Sequence, residues 1–248
     1  MPNPFSSKEG PPWHLHDRRD KFEWKEFPQL AWLGLCNLAY RTRLDLEEMG
    51  RLGNRRWYWR LRLALALNGL TATLSRPVFG TGSSEFPESI SPADLTYGET
   101  PILTAWQLGQ RLSITPQDRV VDLGAGLGLP LLVCHLGFGA PGIGVEAVPA
   151  RLSRAKNLAL SLNIEVISWR EEDFLTQPLP EGTIYWISPT TLEESSWKAL
   201  QDKMSDRPAG TRCISLSLPL PTQDWQTLDE SDFRFSWGKT RVYVQIKL

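Results

Sequence analysis

The chain of 248 residues is short of several things that would have narrowed its class at once. It has three cysteines, Cys36, Cys134 and Cys213, far apart and each in an apolar setting. That excludes a disulfide scaffold and predicts buried, reduced thiols in a cytoplasmic protein. With only three histidines and no CxxC or clustered His/Cys pattern, nothing points to a metal. Charge of one sign is lacking too: 27 basic against 28 acidic residues give a formal net charge of −1, and no Lys/Arg block is concentrated enough to grip a nucleic acid. The first residues, MPNPFSSKEGPPWHLHDRRD, do not run from charged to apolar, so they do not read as a signal peptide. The apolar stretch Leu61 to Leu67 is broken by Arg62 and followed by Asn68, too short and too polar to span a membrane.

What is present is periodicity. Residues 1–20 read as a mobile tail and 21–98 as a helical extension followed by a loop; residues 99–248 read as an α/β domain. Leu33, Cys36, Tyr40 and Leu44 recur at helical spacing. After Gly50 and Gly53, RRWYWRLRLALALNGL predicts a second helix. Its mixed basic and aromatic residues suit either a surface for RNA, membrane or an acidic partner, or a helix that packs through Trp57, Leu61 and Leu65 with solvated arginines. Residues 75–98 are rich in Pro, Gly and Ser and long enough for a binding loop. Pro101 then starts a helix with Ile102, Ala105, Trp106, Gly109 and Leu112 on one face.

From there strands and helices alternate. RVVDL, GIGVEA, IEVISW, TIYWIS and TRCISLSLP read as strands, with helices at LPLLVCHLG, PARLSRAKNLALSLN and LEESSWKALQDKM. The second of these helices has Val148, Leu152, Ala155, Ala159 and Leu162 on one face. The end, DFRFSWGKTRVYVQIKL, reads as a hairpin turning around Gly238-Lys239. The expected fold is therefore α/β: a Rossmann-like, seven-stranded, mostly parallel sheet with a C-terminal antiparallel hairpin, plus an N-terminal helical extension.

The chemistry-bearing stretch is VVDLGAGLGLPLL, from Val120 to Leu132. Its glycines, Gly124, Gly126 and Gly128, alternate, whereas a dinucleotide turn wants G-x-G-x-x-G and a P-loop needs Lys followed by Ser or Thr. Asp122 ends the first strand, where a carboxylate suits a cationic or amine-bearing ligand better than a pyrophosphate. Glu146 ends the second strand and can accept both hydroxyls of a ribose. After the third strand, Asp173 can accept the amine of an adenine with Phe174 against the ring. Each acid has a plainer alternative: Asp122 capping the turn, and Glu146 and Asp173 as solvated loop acids. Three acids at successive strand ends are, however, what a ligand crevice of an α/β sheet requires.

These residues, Asp122-Leu-Gly124-Ala125-Gly126-Leu-Gly128, Glu146 and Asp173, together with the closing hairpin, resemble a class I S-adenosylmethionine (SAM)-dependent methyltransferase over about residues 95–248. The resemblance implies that SAM is the cofactor and S-adenosylhomocysteine (SAH) its product. It also implies that the turn passes the methionyl part, Glu146 holds the ribose, and Asp173 with Phe174 holds the adenine. A narrower resemblance rests on TYGETP (Thr96 to Pro101), EDFL and FSWGKTRVYV. These resemble the non-SET histone-lysine methyltransferases that act on the nucleosome core, and their smaller prokaryotic and mitochondrial protein-lysine relatives. By that similarity Tyr97, Glu99 and Thr100 close over the methionine moiety and Tyr243 stands beside the acceptor channel. Ile187-Ser188-Pro189-Thr190 replaces the asparagine pair of those enzymes, and their basic tail has no counterpart. Ser188, Thr190 and Thr191 can accept from an amine, or Thr191 can cap the next helix. Tyr97, Trp186, Trp237 and Tyr243 are candidates for aromatic channel walls. The expected reaction is methyl transfer to a protein side-chain amine, a lysine foremost. The alternatives are a small-molecule acceptor or a non-catalytic SAM-binding module, with a nicotinamide-dependent oxidoreductase as a further rival. No nucleic-acid partner is expected.

Overall fold

The computed structural model describes residues 27–74 and 98–248. The tail at 1–20, most of the loop at 75–98, and Tyr97 with it, lie outside the described residues. The chain divides into two compact units, Met1–Asp45 and Leu46–Leu248. In the first, the described residues are helical, the opening turns of α1 (Phe27–Leu52), where the Thr42 hydroxyl donates to the Leu38 carbonyl at 2.9 Å.

The second unit holds the rest of α1, then α2 (Arg56–Leu74) and α3 (Ile102–Arg111). The alternating part follows: β1 (Val120–Leu123), α4 (Leu129–Phe138), β2 (Gly142–Glu146), α5 (Pro149–Ser161), β3 (Ile167–Glu171), β4 (Ile184–Ile187), α6 (Glu194–Ser205) and β5 (Arg212–Leu216). It ends in β6 (Trp225–Phe235) and β7 (Gly238–Lys247). The seven strands form one sheet in the order β3-β2-β1-β4-β5-β7-β6. β1 to β5 are mutually parallel, and β7 is antiparallel to both neighbours. The chain thus has the α/β fold that its alternation of elements predicts.

Several boundaries differ from the sequence reading: the closing hairpin turns at Ser236-Trp237, with Gly238 and Lys239 already paired in the strand, and β5 stops at Leu216, three residues short of the run TRCISLSLP. Two strands start elsewhere than read. β3 lies three residues later than IEVISW and includes the charged Arg170 and Glu171. β6 begins at Trp225, seven residues before the run DFRF. Both are edge strands, and their charged residues face water, which erases the apolar alternation that marks an inner strand.

Successive residues of each strand feed two cores. Val120, Ile184, Trp186 and Ile214 point to one face, which α2, α3, α4 and α5 cover. Val121, Leu123, Tyr185, Ile187 and Cys213 point to the other, where α6 supplies Leu200 and Met204. α6 is the only helix among the described residues on that second face. Chain segments complete the cover: Leu179 follows β3, and Leu220 follows β5. Buried Gln245 pins the latter segment, accepting from the Leu220 amide at 2.8 Å and donating to its carbonyl at 3.1 Å.

α1 and α2 are tied to the sheet domain within this unit. α3 has no capping side chain of its own, since Pro101 occupies its N-cap. The buried Glu48 carboxylate from α1 accepts the Leu103 amide at 3.1 Å instead, placing negative charge at a helix N-terminus. Arg234 of β6 donates to Glu47 at 2.7 Å, and Arg60 to the carbonyl of Leu162 at 3.0 Å. Trp57, Leu61 and Leu65 pack on the first core, the second of the two alternatives their pattern left open. On α2, Arg56 and Arg60 are exposed, Arg60 reaching the Leu162 carbonyl, while just before the helix Arg55 lies 4.6 Å from the Trp106 ring centroid.

Candidate functional site

Because β1 to β5 run parallel, the carboxyl ends of all five open onto one edge of the sheet. That edge is where a sheet of this kind holds its ligand. Asp122, the glycine turn, Glu146, Asp173 and Ser188 all follow or end these strands.

The glycine spacing has a conformational cause. Gly124, Gly126 and Gly128 have φ of 79°, 55° and 69°, the left-handed region at three alternate positions. The turn's amides are then consumed inside the protein. The Val145 carbonyl accepts from Gly124 and Ala125, each at 2.9 Å. The Glu146 carboxylate accepts from Gly126 at 2.8 Å, and the Ala125 carbonyl from Gly128 at 2.7 Å. A phosphate-binding turn works by aiming such amides at the anion. Here four of them are engaged. Gly128 has a second constraint: a Cβ there would lie 2.2 Å from the Trp169 ring. One at Gly144 would lie 2.6 Å from the same ring. The Trp169 ring of β3 therefore packs against both β2 and the turn, a packing role that the sequence reading missed. A glycine inside the strand GIGVE was its signal.

Asp122 is 4% exposed, and its Oδ2 has no hydrogen-bond partner. Directly opposite it on β4 is Trp186, 1% exposed, whose indole N–H also has no partner. Burial, and next the negative charge of Glu146, push the Asp122 carboxyl up to about 8. Trp186 is thus a core residue beneath the turn rather than an open channel wall. Glu146, equally buried, accepts from the Val148 amide at 2.9 Å as well as from Gly126, with Arg151 3.9 Å away. A carboxylate has about four acceptor sites. Two are occupied by this clamp, which leaves capacity for two hydroxyls.

After β3, Asp173 accepts from the Leu175 amide at 2.8 Å, closing a local turn. Phe174 reaches the glycine turn, its ring 3.8 Å from where a Gly124 Cβ would stand. Lys203 of α6 holds this loop from below, donating to the carbonyls of Phe174 at 2.8 Å and Gln177 at 2.7 Å. Burial draws the Lys203 ammonium below its usual range, against the opposing pull of Asp173. Lysine spacing within LEESSWKALQDKM carried no hint of that reach.

Glu99 and Thr100 precede α3, Thr100 buried and Glu99 half-buried. Ser188 is exposed just beyond β4, beside a single 3-10 turn at Pro189–Thr191, where Thr190 and Ser217 share a hydroxyl–hydroxyl bond of 2.9 Å. Tyr243 lies farther off. Register aligns Leu123, Ile187, Ser215 and Tyr243 across four strands, so Tyr243 sits two strands beyond β4. Val242 and Val244 join the first core, which puts Tyr243 on the opposite face from Asp122.

No family model matches the chain, and no curated protein matches it. Solved structures do. An RNA methyltransferase from Salinibacter ruber in complex with SAH is 22% identical, with a TM-score of 0.51 over 60% of this chain and 93% of that one. TrmN from Thermus thermophilus is 23% identical, with a TM-score of 0.52 over 59% of this chain and 49% of its own. Magnesium protoporphyrin IX methyltransferase from Synechocystis PCC 6803 with bound SAM is 11% identical, with a TM-score of 0.51 over 59% of this chain and 78% of that one. The chain has the fold of the class I SAM-dependent methyltransferases. No helix among the described residues is long and apolar enough to cross a membrane.

Proposed function

We propose that this protein is a SAM-dependent methyltransferase whose acceptor is a protein side-chain amine, a lysine foremost. The observation that carries the cofactor is the buried, unpartnered Oδ2 of Asp122 beside a turn whose amides are already taken. An anionic pyrophosphate would find few donors there and would disfavour ionisation of Asp122 further; a cationic amino group, directly or through one water, would favour the carboxylate and satisfy it. Asp122 would hold the amino end, Glu146 the ribose hydroxyls, and Asp173 with Phe174 the adenine. Gly124, Ala125, Gly126 and Gly128 shape the floor, and Tyr97, Glu99 and Thr100 would close the methionine end.

Bound SAM supplies a methyl group on a sulfonium, with a neutral thioether as the leaving group. The chain's contribution is orientation of the acceptor and exclusion of water. An incoming amine must be neutral to react, and an apolar, aromatic approach favours loss of its proton to solvent. Ser188 would accept a hydrogen bond from that amine at the mouth of β4, and Trp237 and Tyr243 would line the hairpin side.

Incubation with tritiated SAM and a cell lysate, followed by identification of the labelled species, tests the reading. Label on protein lysine is the expected result. Label on a small molecule would replace the acceptor while keeping the enzyme. SAM binding with no labelled species would make the chain a binding module.

A further inference from the structure

The two segments that the functional reading assigns to opposite sides of the reaction are joined to each other. The segment before α3 begins at Gly98, and the turn of the C-terminal hairpin is Ser236-Trp237, between paired Phe235 and Gly238. β6 runs parallel to β5, because both are antiparallel to β7. The hairpin turn therefore emerges at the ligand edge. There the Glu99 amide donates to the Ser236 hydroxyl at 3.1 Å, and the Ser236 amide donates to the Glu99 carbonyl at 3.3 Å. One turn into α3, the Thr104 hydroxyl donates to the Arg234 carbonyl at 2.6 Å.

Trp237 closes the joint. Its ring stacks on Phe235, with centroids 4.8 Å apart and planes 20° apart. Its indole N–H donates to the Thr240 hydroxyl at 2.9 Å, which fixes the ring's orientation. The ring edge then lies against the backbone of Gly98, where an added Cβ would stand 2.3 Å from it. Such an approach is open only to glycine. Nothing in the composition or spacing of either segment alone announces this, since 137 residues separate Glu99 from Ser236.

We propose that Trp237 is a positioning residue for cofactor binding: with Ser236 it clasps Gly98-Glu99 and so sets the segment that closes over the amino-acid end of SAM. This rests on the methyltransferase reading above. Trp237 itself need not touch the cofactor. The clasp makes the hairpin, on the acceptor side, a support for the donor side, so that a disturbance in the turn is felt as a loss of cofactor affinity.

The test is a double-mutant cycle read by calorimetric titration of the whole chain with two ligands. SAH carries the amino-acid end; 5′-methylthioadenosine lacks it. Gly98→Ala is expected to weaken SAH by about tenfold or more and to leave 5′-methylthioadenosine nearly unchanged. Trp237→Ala is expected to shift SAH in the same direction. In the Trp237→Ala background, Gly98→Ala should have no further effect, because the ring it collides with is gone. Ser236→Ala, a milder change that removes one acceptor, should give a smaller loss of the same selectivity. Thermal unfolding of each variant, run alongside, confirms that the compared proteins are folded. Additive losses from Gly98→Ala and Trp237→Ala would overturn the proposal. So would equal losses for both ligands, which would make the clasp a matter of fold alone. A wild-type chain that binds neither ligand would instead overturn the methyltransferase reading, and the clasp's role with it.

Discussion

Asp122 and Trp186 face each other across β1 and β4, and each buries a polar atom that no protein group meets. A buried polar group without a partner costs about 1–3 kcal/mol. Two of them stand at paired positions, next to a left-handed glycine turn at the ligand edge. Unmet polar atoms of this kind in an otherwise satisfied fold mark the places where function is first looked for.

Asp122 should make stability depend on pH in a distinctive direction. Its carboxyl is pushed up to about 8 from an ordinary value of 3.8. Between those values the folded chain holds a proton that the unfolded chain has released. Stability is therefore greatest at the acid end of that window, falls as pH rises through it, and levels off above about 8. Chemical denaturation across that range should show this slope in the wild type and a flattened one in Asp122→Asn. Identical slopes would remove Asp122 as its source.

Asp118, at the far end of the same domain, should do the opposite. Burial alone would raise its carboxyl, but hydrogen bonds from Thr115 and Thr183 and the Arg212 guanidinium hold it below the usual range. Its contribution is present above the unfolded value and is lost as pH falls through the folded one. Asp118→Ala should cost about 3 kcal/mol at neutral pH, since Arg212 keeps its bond to the Leu112 carbonyl but loses its carboxylate in a half-buried setting. The difference from wild type should shrink in acid. Urea midpoints at neutral and acid pH check both points.

The Trp169 ring makes two glycines irreplaceable for reasons of space. Gly128→Ala adds strain at a positive φ to a collision 2.2 Å from the ring, while Gly144→Ala meets the ring at 2.6 Å with no such strain. Both should destabilise, Gly128→Ala the more, by about 2–4 kcal/mol. Combining Gly144→Ala with Trp169→Leu should recover part of its loss. Melting temperatures of the three variants decide whether the ring is the obstacle; no recovery in the double variant would place the obstruction elsewhere.

Much of this was legible in the residues. The faces of α3 and α5 are as their spacing indicates: Ile102, Ala105, Gly109 and Leu112 are buried with Trp106 half-buried beside them, and Val148, Leu152, Ala155, Ala159 and Leu162 are all buried. The three acids follow successive strands because alternation and parallel order put them there. What stayed hidden depended on contacts distant in sequence. Glu48 caps α3 from 55 residues away, and Lys203 reaches the Asp173 loop from α6. β6 was partly concealed because an edge strand shows water its charges, so the hairpin reading began only at Asp232 and left out the strand's first half, with Asp229 and Glu230. The engaged amides of the glycine turn were equally invisible, since a sequence shows which residues can donate and never to whom. α2 held a further surprise: besides its packed face, Trp59, Leu63 and Leu67 are exposed at intervals of four.

The central claim is that this turn holds SAM and not a dinucleotide. Calorimetric titration of the whole chain with SAH and with NAD, repeated on Glu146→Ala, tests it most directly. The account predicts that SAH binds and NAD does not. It also predicts that Glu146→Ala weakens SAH by about 2 kcal/mol or more, because both the ribose acceptor and the clamp on the Gly126 amide are lost. Preference for NAD, or SAH affinity untouched by Glu146→Ala, would contradict it.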